Sequence, residues 1–168
     1  MYGTVIQKNE CKVPNKKQAA KRVNIVSVKL VREASLLYKE RKITSPDSAY
    51  ELLKGILGEV DREYFVVACL DTKNQPTSIN ICHIGSLNSS LVHPREVYKT
   101  AVLSNAASII VAHNHPSQNP DPSHEDLEVT KRLMKAGSVL GIELLDHLII
   151  CEDRYISLKE KGYMQIGN

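Results

Sequence analysis

The densest chemical capacity lies between His113 and Asp126, in the run HNHPSQNPDPSHED. His113 and His115 stand two residues apart and directly follow the apolar run ASIIVA at 107–112. Side chains alternate along extended backbone, so an i, i+2 pair sends both imidazoles to one side. Ser123 suits a helix N-cap, and Asp126 then falls at N3, inside the first turn. A strand end carrying two nitrogen ligands thus faces a helix start carrying one carboxylate. Two His and one Asp supply three zinc ligands and leave a fourth position for water, as in catalytic rather than structural zinc sites. The same residues also have plainer uses, since Ser-x-x-Asp caps helices and histidines pair with backbone at surfaces. Pro116, Pro120 and Pro122 stiffen the connection, which suits a loop that must hold ligands in register.

Hydrolysis by a metal-activated water also needs a base to take the water's proton and return it to the leaving group. That base must be a carboxylate not spent on the metal. Glu63 is the first candidate, because it opens the predicted strand EYFVVACL at 63–70, where a charge has little structural use. A solvated strand end is the plainer reading. Glu125 is nearer in sequence but falls at N2, where the helix dipole accounts for it. Ser123 can donate to a developing oxyanion as well as cap, since an N-cap oxygen accepts and leaves its proton free. His147 reads as structural or as a partner behind the ligands, with Asp146 placed to orient it. His83, His93 and His124 read as surface or capping residues.

These groups need elements to position them. Residues 1–22 are polar and basic, and VNIVSVKLV at 23–31 alternates well enough for a strand. Ser45-Pro46 opens a helix whose stripe is Ala49, Leu52, Leu53, Ile56 and Leu57, ending at Gly58. The strand from Glu63 to Leu70 turns at 73–76 and pairs with 77–85. Pro94 starts a second helix to Asn105 with Val97, Ala101 and Val102 inward. A central strand over 107–112 feeds the His pair. The longest helix runs from Ser123 to Ser138 with Leu127, Val129, Leu133 and Met134 inward, before a strand at 142–151, a short strand at 154–157 and a closing turn from Leu158. Helices alternating with strands, some in hairpins, predict an α/β fold: a three-layer α/β/α sandwich on a mixed sheet.

Composition sets the outer bounds. A length of 168 residues favours one domain, and 42% hydrophobic with 24% charged residues is ordinary for a globular chain. The longest apolar runs are far too short to span a bilayer, and the N-terminus lacks the apolar core of a signal peptide, so the expected location is cytoplasmic. Cys11, Cys69, Cys82 and Cys151 show no C-x-x-C spacing, and Cys69 and Cys151 read as small buried hydrophobes. A formal charge of +3 does not by itself argue for nucleic acid. Lys8, Lys12, Lys16, Lys17, Lys21 and Arg22 form a basic run that reads as a solvated tail, with nucleic-acid contact as the alternative.

Several His-x-His chemistries are excluded. Amidohydrolase barrels need about 250 residues. Nucleobase deaminases use H-x-E with P-C-x-x-C, and H-E-x-x-H proteases set their histidines one helical turn apart. Glu63, His113-x-His115-Pro116 and Ser123-x-x-Asp126 instead resemble the JAMM signature of JAB/MPN metallopeptidases. The flanks REYFVVACLDTKN, GSLNSSLVHPREVYKTAVLSNAASIIVAHNHPS and LLDHLII are similar to the RadC family, and the resemblance covers residues 43–165. It implies the cytidine-deaminase-like fold of JAB domains and one Zn2+ per chain on His113, His115 and Asp126. It further implies Glu63 as acid/base, Ser123 as oxyanion-side donor, and a peptide or isopeptide-linked protein as substrate. Gln118 departs from the family's usual Gly, which touches loop shape rather than ligand identity. Residues 1–42 then read as a basic extension without the helix-hairpin-helix segment of longer members, and 43–168 as the JAB/MPN domain. The alternative function is a DNA-associated accessory protein, or a JAB fold serving only as an interaction module.

Overall fold

The computed structural model describes residues 22–58, 60–85 and 92–165. Ser45 caps α1 (Pro46–Leu57) by accepting from Ser48 N, while Ser48 Oγ accepts from Ser45 N at 3.1 Å. The hairpin β1 (Tyr64–Leu70) and β2 (Pro76–Ile84) follows, then α2 (Pro94–Leu103) and β3 (Ser108–Asn114). The chain continues through α3 (His124–Leu140), β4 (Glu143–Ile150) and β5 (Tyr155–Ser157). The sheet order is β2-β1-β3-β4-β5, and only β3 and β4 run parallel. The sheet is therefore mixed, with α3 forming the crossover between its one parallel pair.

Alternation divides the central strands between two cores. Phe65, Val67, Cys69, Ile109 and Val111 face α2 and α3, where Val97, Tyr98, Ala101, Val129 and Leu133 close over them. Val66, Ala68, Leu70, Ile110, Ala112, Leu148 and Ile150 face the other way, under Ala49, Leu52, Leu53 and Leu57 of α1. Buried on both faces, β1 and β3 need the near-continuous apolar sequences they have. The three-layer α/β/α sandwich follows. No helix among the described residues is long and apolar enough to cross a membrane.

Three expectations change. Residues 22–38 form neither helix nor strand, and Val23, Ile25, Val28 and Val31 are exposed, so the strand expected at 23–31 does not form. Its alternation offers an apolar side, but none of the sheet's strands pairs with it, and an extended segment without ladder partners is not a strand. The basic run from Lys8 to Lys21 lies outside the described residues. On α2, Val102 faces solvent and Tyr98 is buried instead, its hydroxyl donating to Leu133 O at 2.9 Å. On α3 the buried face is Asp126, Val129, Thr130, Leu133 and Gly137, with Leu127 and Met134 only half-buried. Two polar residues thus occupy the side turned to the sheet, and they belong to the site.

Candidate metal centre

His113 is the penultimate residue of β3, paired with Phe65 on one side and Ile149 on the other, and it is fully buried. Its ring lies nearly parallel to that of Phe65, with centroids 6.1 Å apart. His115 follows just past the strand and on the same side. Asp126 reaches them from the first turn of α3 and is itself buried. His113 Nε2 lies 3.2 Å from Asp126 Oδ1, His115 Nε2 lies 3.5 Å from Asp126 Oδ2, and the two Nε2 atoms are 3.0 Å apart. One donor atom from each of the three residues can be chosen so that all lie within 4.8 Å of one another.

The outer nitrogens decide which atoms carry protons. Thr130 Oγ1 donates to Asp126 O at 2.6 Å, because a carbonyl only accepts. Its oxygen therefore receives the Nδ1–H of His147, at 2.6 Å. His147 Nε2 is left to accept from His113 Nδ1–H at 2.8 Å. His115 Nδ1 donates to Asn119 O at 2.6 Å. Both histidines consequently turn an Nε2 lone pair toward the same point, beside a carboxylate. Converging acceptors without a donor repel one another, and a cation between them removes the repulsion. This donor set can hold a metal ion, with the outer hydrogen bonds fixing each ring's tautomer and orientation.

Electrostatics agree. Burial alone would raise the Asp126 carboxyl, but the adjoining His113 and His115 rings and the Ser123 hydroxyl outweigh it and hold the group far below the ordinary carboxylate range. His115 is raised, first by its bond to Asp126 and also by the Glu63 charge. Protonation of His115 is thereby favoured beside the carboxylate. His147 is pushed down, chiefly by burial and then by His113, so it stays a neutral relay.

Glu63 sits one residue before β1, and its carbonyl accepts from Gly85 N at 2.8 Å. Two residues before Phe65 and two after His113, Glu63 and His115 fall on one side of the sheet. Ser123 is the N-cap: its oxygen accepts from Asp126 N at 3.1 Å, and its hydroxyl donates to Asp126 Oδ2 at 2.7 Å. Asp126 thus belongs both to the capping box and to the group of three that could hold a metal. His93 caps α2, accepting from Arg95 N, and His124 pairs with Glu128 on the surface.

His147 stands behind the ligands, but Asp146 does not orient its ring. Asp146 instead accepts from His147 N, Ser157 Oγ and Lys159 N. The orienting group is Thr130, which sequence reasoning missed. The available signal was its position four residues after Asp126, hence on the same helix face. Gln118, where a glycine was expected, adopts φ +60, the conformation that favours glycine. Its side chain compensates by accepting from Glu152 N at 2.8 Å, tying the ligand loop to the β4–β5 turn.

Comparison with known proteins bears on the same residues. The family model described as a RadC-like JAB domain matches residues 43–163, which include every group above. A UPF0758 protein of Methanosarcina barkeri is 46% identical over 149 residues, covering 87% of this chain and 65% of the relative. Another, from Caldanaerobacter subterraneus subsp. tengcongensis, is 54% identical over 121 residues, covering 72% of this chain and 52% of the relative. A third, from Bacillus licheniformis, is 52% identical over 131 residues, covering 77% and 58%. The chain spans between about half and two thirds of the length of these relatives. With the match covering well over half its length, the chain belongs to the RadC-like JAB domain family.

Proposed function

We propose that the protein is a zinc-dependent hydrolase of peptide or isopeptide bonds. The observation that carries the reading is the convergence of two Nε2 atoms and one carboxylate, with the charge of Glu63 acting on His115. Separations of 3.0, 3.2 and 3.5 Å suit zinc, since ligands about 2.0–2.1 Å from a tetrahedral ion lie about 3.3 Å apart. His113, His115 and Asp126 would hold the ion, which when bound would polarise a water and make it a nucleophile near neutral pH.

The chain's own groups perform the rest. Glu63 takes the proton of the water as its oxygen attacks the carbonyl carbon. It then gives that proton to the amine nitrogen as the C–N bond breaks. Ser123 has its hydroxyl directed at Asp126 Oδ2. Turned outward, it would hold the developing oxyanion while its oxygen still accepts Asp126 N.

The test has two parts. Elemental analysis of the purified chain should find about one zinc per chain, lost in Asp126→Ala and kept in Glu63→Gln. With peptide-linked and isopeptide-linked reporters, Glu63→Gln should lose on the order of 10²–10⁴-fold in turnover. A chain that takes up no zinc on addition sinks the reading, and a fully active Glu63→Gln sinks the assignment of the base.

A further inference from the structure

Asn114 stands between the two ligand histidines, is 4% exposed, and belongs to neither the ligand set nor the relay behind it. The β1–β3 ladder ends at the pair Phe65 and His113. Yet Tyr64 is still a strand residue toward β2, paired with Ile84, and Asn114 is still one toward β4, paired with Ile150. The two central strands therefore part at this end while each stays attached to its outer neighbour. In the gap, the Asn114 amide replaces the missing main-chain partners. Its Oδ1 accepts from Tyr64 N at 2.7 Å, and its Nδ2 donates to Arg62 O at 2.9 Å.

The residue between those two anchors is Glu63. Its own carbonyl accepts from Gly85 N, just past β2. Glu63 is thus fixed from both flanks, by the β3 side chain and by the β2 main chain. We infer that Asn114 is a positioning residue that sets Glu63 against His113 and His115 by bridging the opened ladder with one amide. The inference rests on the reading of Glu63 as the base. Only a side chain with an acceptor and a donor on one carbon can make both bonds: aspartate accepts but cannot donate, and leucine keeps the volume and makes neither.

The test uses the full chain loaded with cobalt(II) alone or zinc alone, in wild type, Glu63→Gln, Asn114→Ala and Asn114→Leu. Both Asn114 variants should keep one metal per chain. They should shift the pH midpoint of the cobalt(II) visible spectrum in the same direction as Glu63→Gln. With a cleavable reporter, kcat should fall on the order of 10²-fold with KM little changed, as for a misplaced catalytic group. A shift in Glu63→Gln with none in either Asn114 variant overturns the positioning role and leaves the base in place. No shift in Glu63→Gln counts against the base itself. Loss of metal from both Asn114 variants also overturns the inference, since the residue would then support the ligands rather than Glu63. A lowered Tm with an unchanged midpoint would mean a merely structural bond.

Discussion

Replacing Thr130 by valine removes one hydroxyl and tests whether the relay behind His113 governs metal binding. Thr130 is 1% exposed and valine nearly matches its shape, so the change is chemical rather than steric. The hydroxyl accepts from His147 Nδ1 and donates to Asp126 O, both at 2.6 Å. Without it, the fully buried His147 must strand an N–H, at a cost of about 1–3 kcal/mol, or move its proton to Nε2. The second course makes His147 donate to His113 Nδ1, which pushes the His113 proton onto Nε2, the atom turned toward Asp126 and offered to a metal. Binding must then restore the original tautomer against the same penalty. At ~1.4 kcal/mol per tenfold, zinc should bind about 5- to 150-fold more weakly, in line with a typical loss of about 10–100-fold for such outer partners. Competition with a chromophoric chelator at neutral pH measures this directly, and Thr130→Ser, which keeps the hydroxyl, should stay near wild type. A Thr130→Val chain whose zinc affinity lies within about twofold of wild type would refute the tautomer argument.

Other consequences concern stability. In metal-free protein, His147 is depressed by burial and then by His113, so it remains neutral when folded and takes a proton on unfolding. Its contribution is complete above about pH 6.5 and is lost as the pH falls through its folded pKa. His115, raised chiefly by its bond to Asp126, works in the opposite sense: its contribution is present below about pH 6.5 and lost as the pH rises through its folded pKa. His147→Asn should therefore flatten the acid-side fall of the urea midpoint in chelator, and an unchanged slope would contradict the assignment. Gly137 lies where α3 meets Tyr98 and the Ile142 carbonyl, both within contact of any added Cβ. Gly137→Ala should destabilise by about 1–3 kcal/mol through overpacking, read as a lower Tm. A variant as stable as wild type would show that the contact can relax.

Much of the molecule is local and so legible in the residues themselves. Proline after an N-cap serine starts α1, near-continuous apolar runs mark β1 and β3, and the i, i+2 spacing puts His113 and His115 on one side. Ser123 and Asp126 meet because three residues span the first helical turn, which is also why Asp126 serves both a capping box and the candidate metal site. The same locality explains the failures. Alternation at 23–31 describes one strand's sides but not whether a neighbour offers main-chain partners, and none of the sheet's strands does. The choice between Tyr98 and Val102 on α2 depends on what α3 presents to them.

The chemistry of the site was legible as a list of ligands, whereas its protonation was not. Thr130 reaches His147 across 17 residues, His147 reaches His113 across 34, and Asn114 reaches Arg62 across 52. Strand order and register set those meetings, and both arise from burying two apolar faces at once. The sequence by itself determined which side chains can bind a metal. The tertiary structure decided which nitrogen carries each proton and where Glu63 stands, because hydrogen bonds between distant segments fix a tautomer only after the core has brought them together.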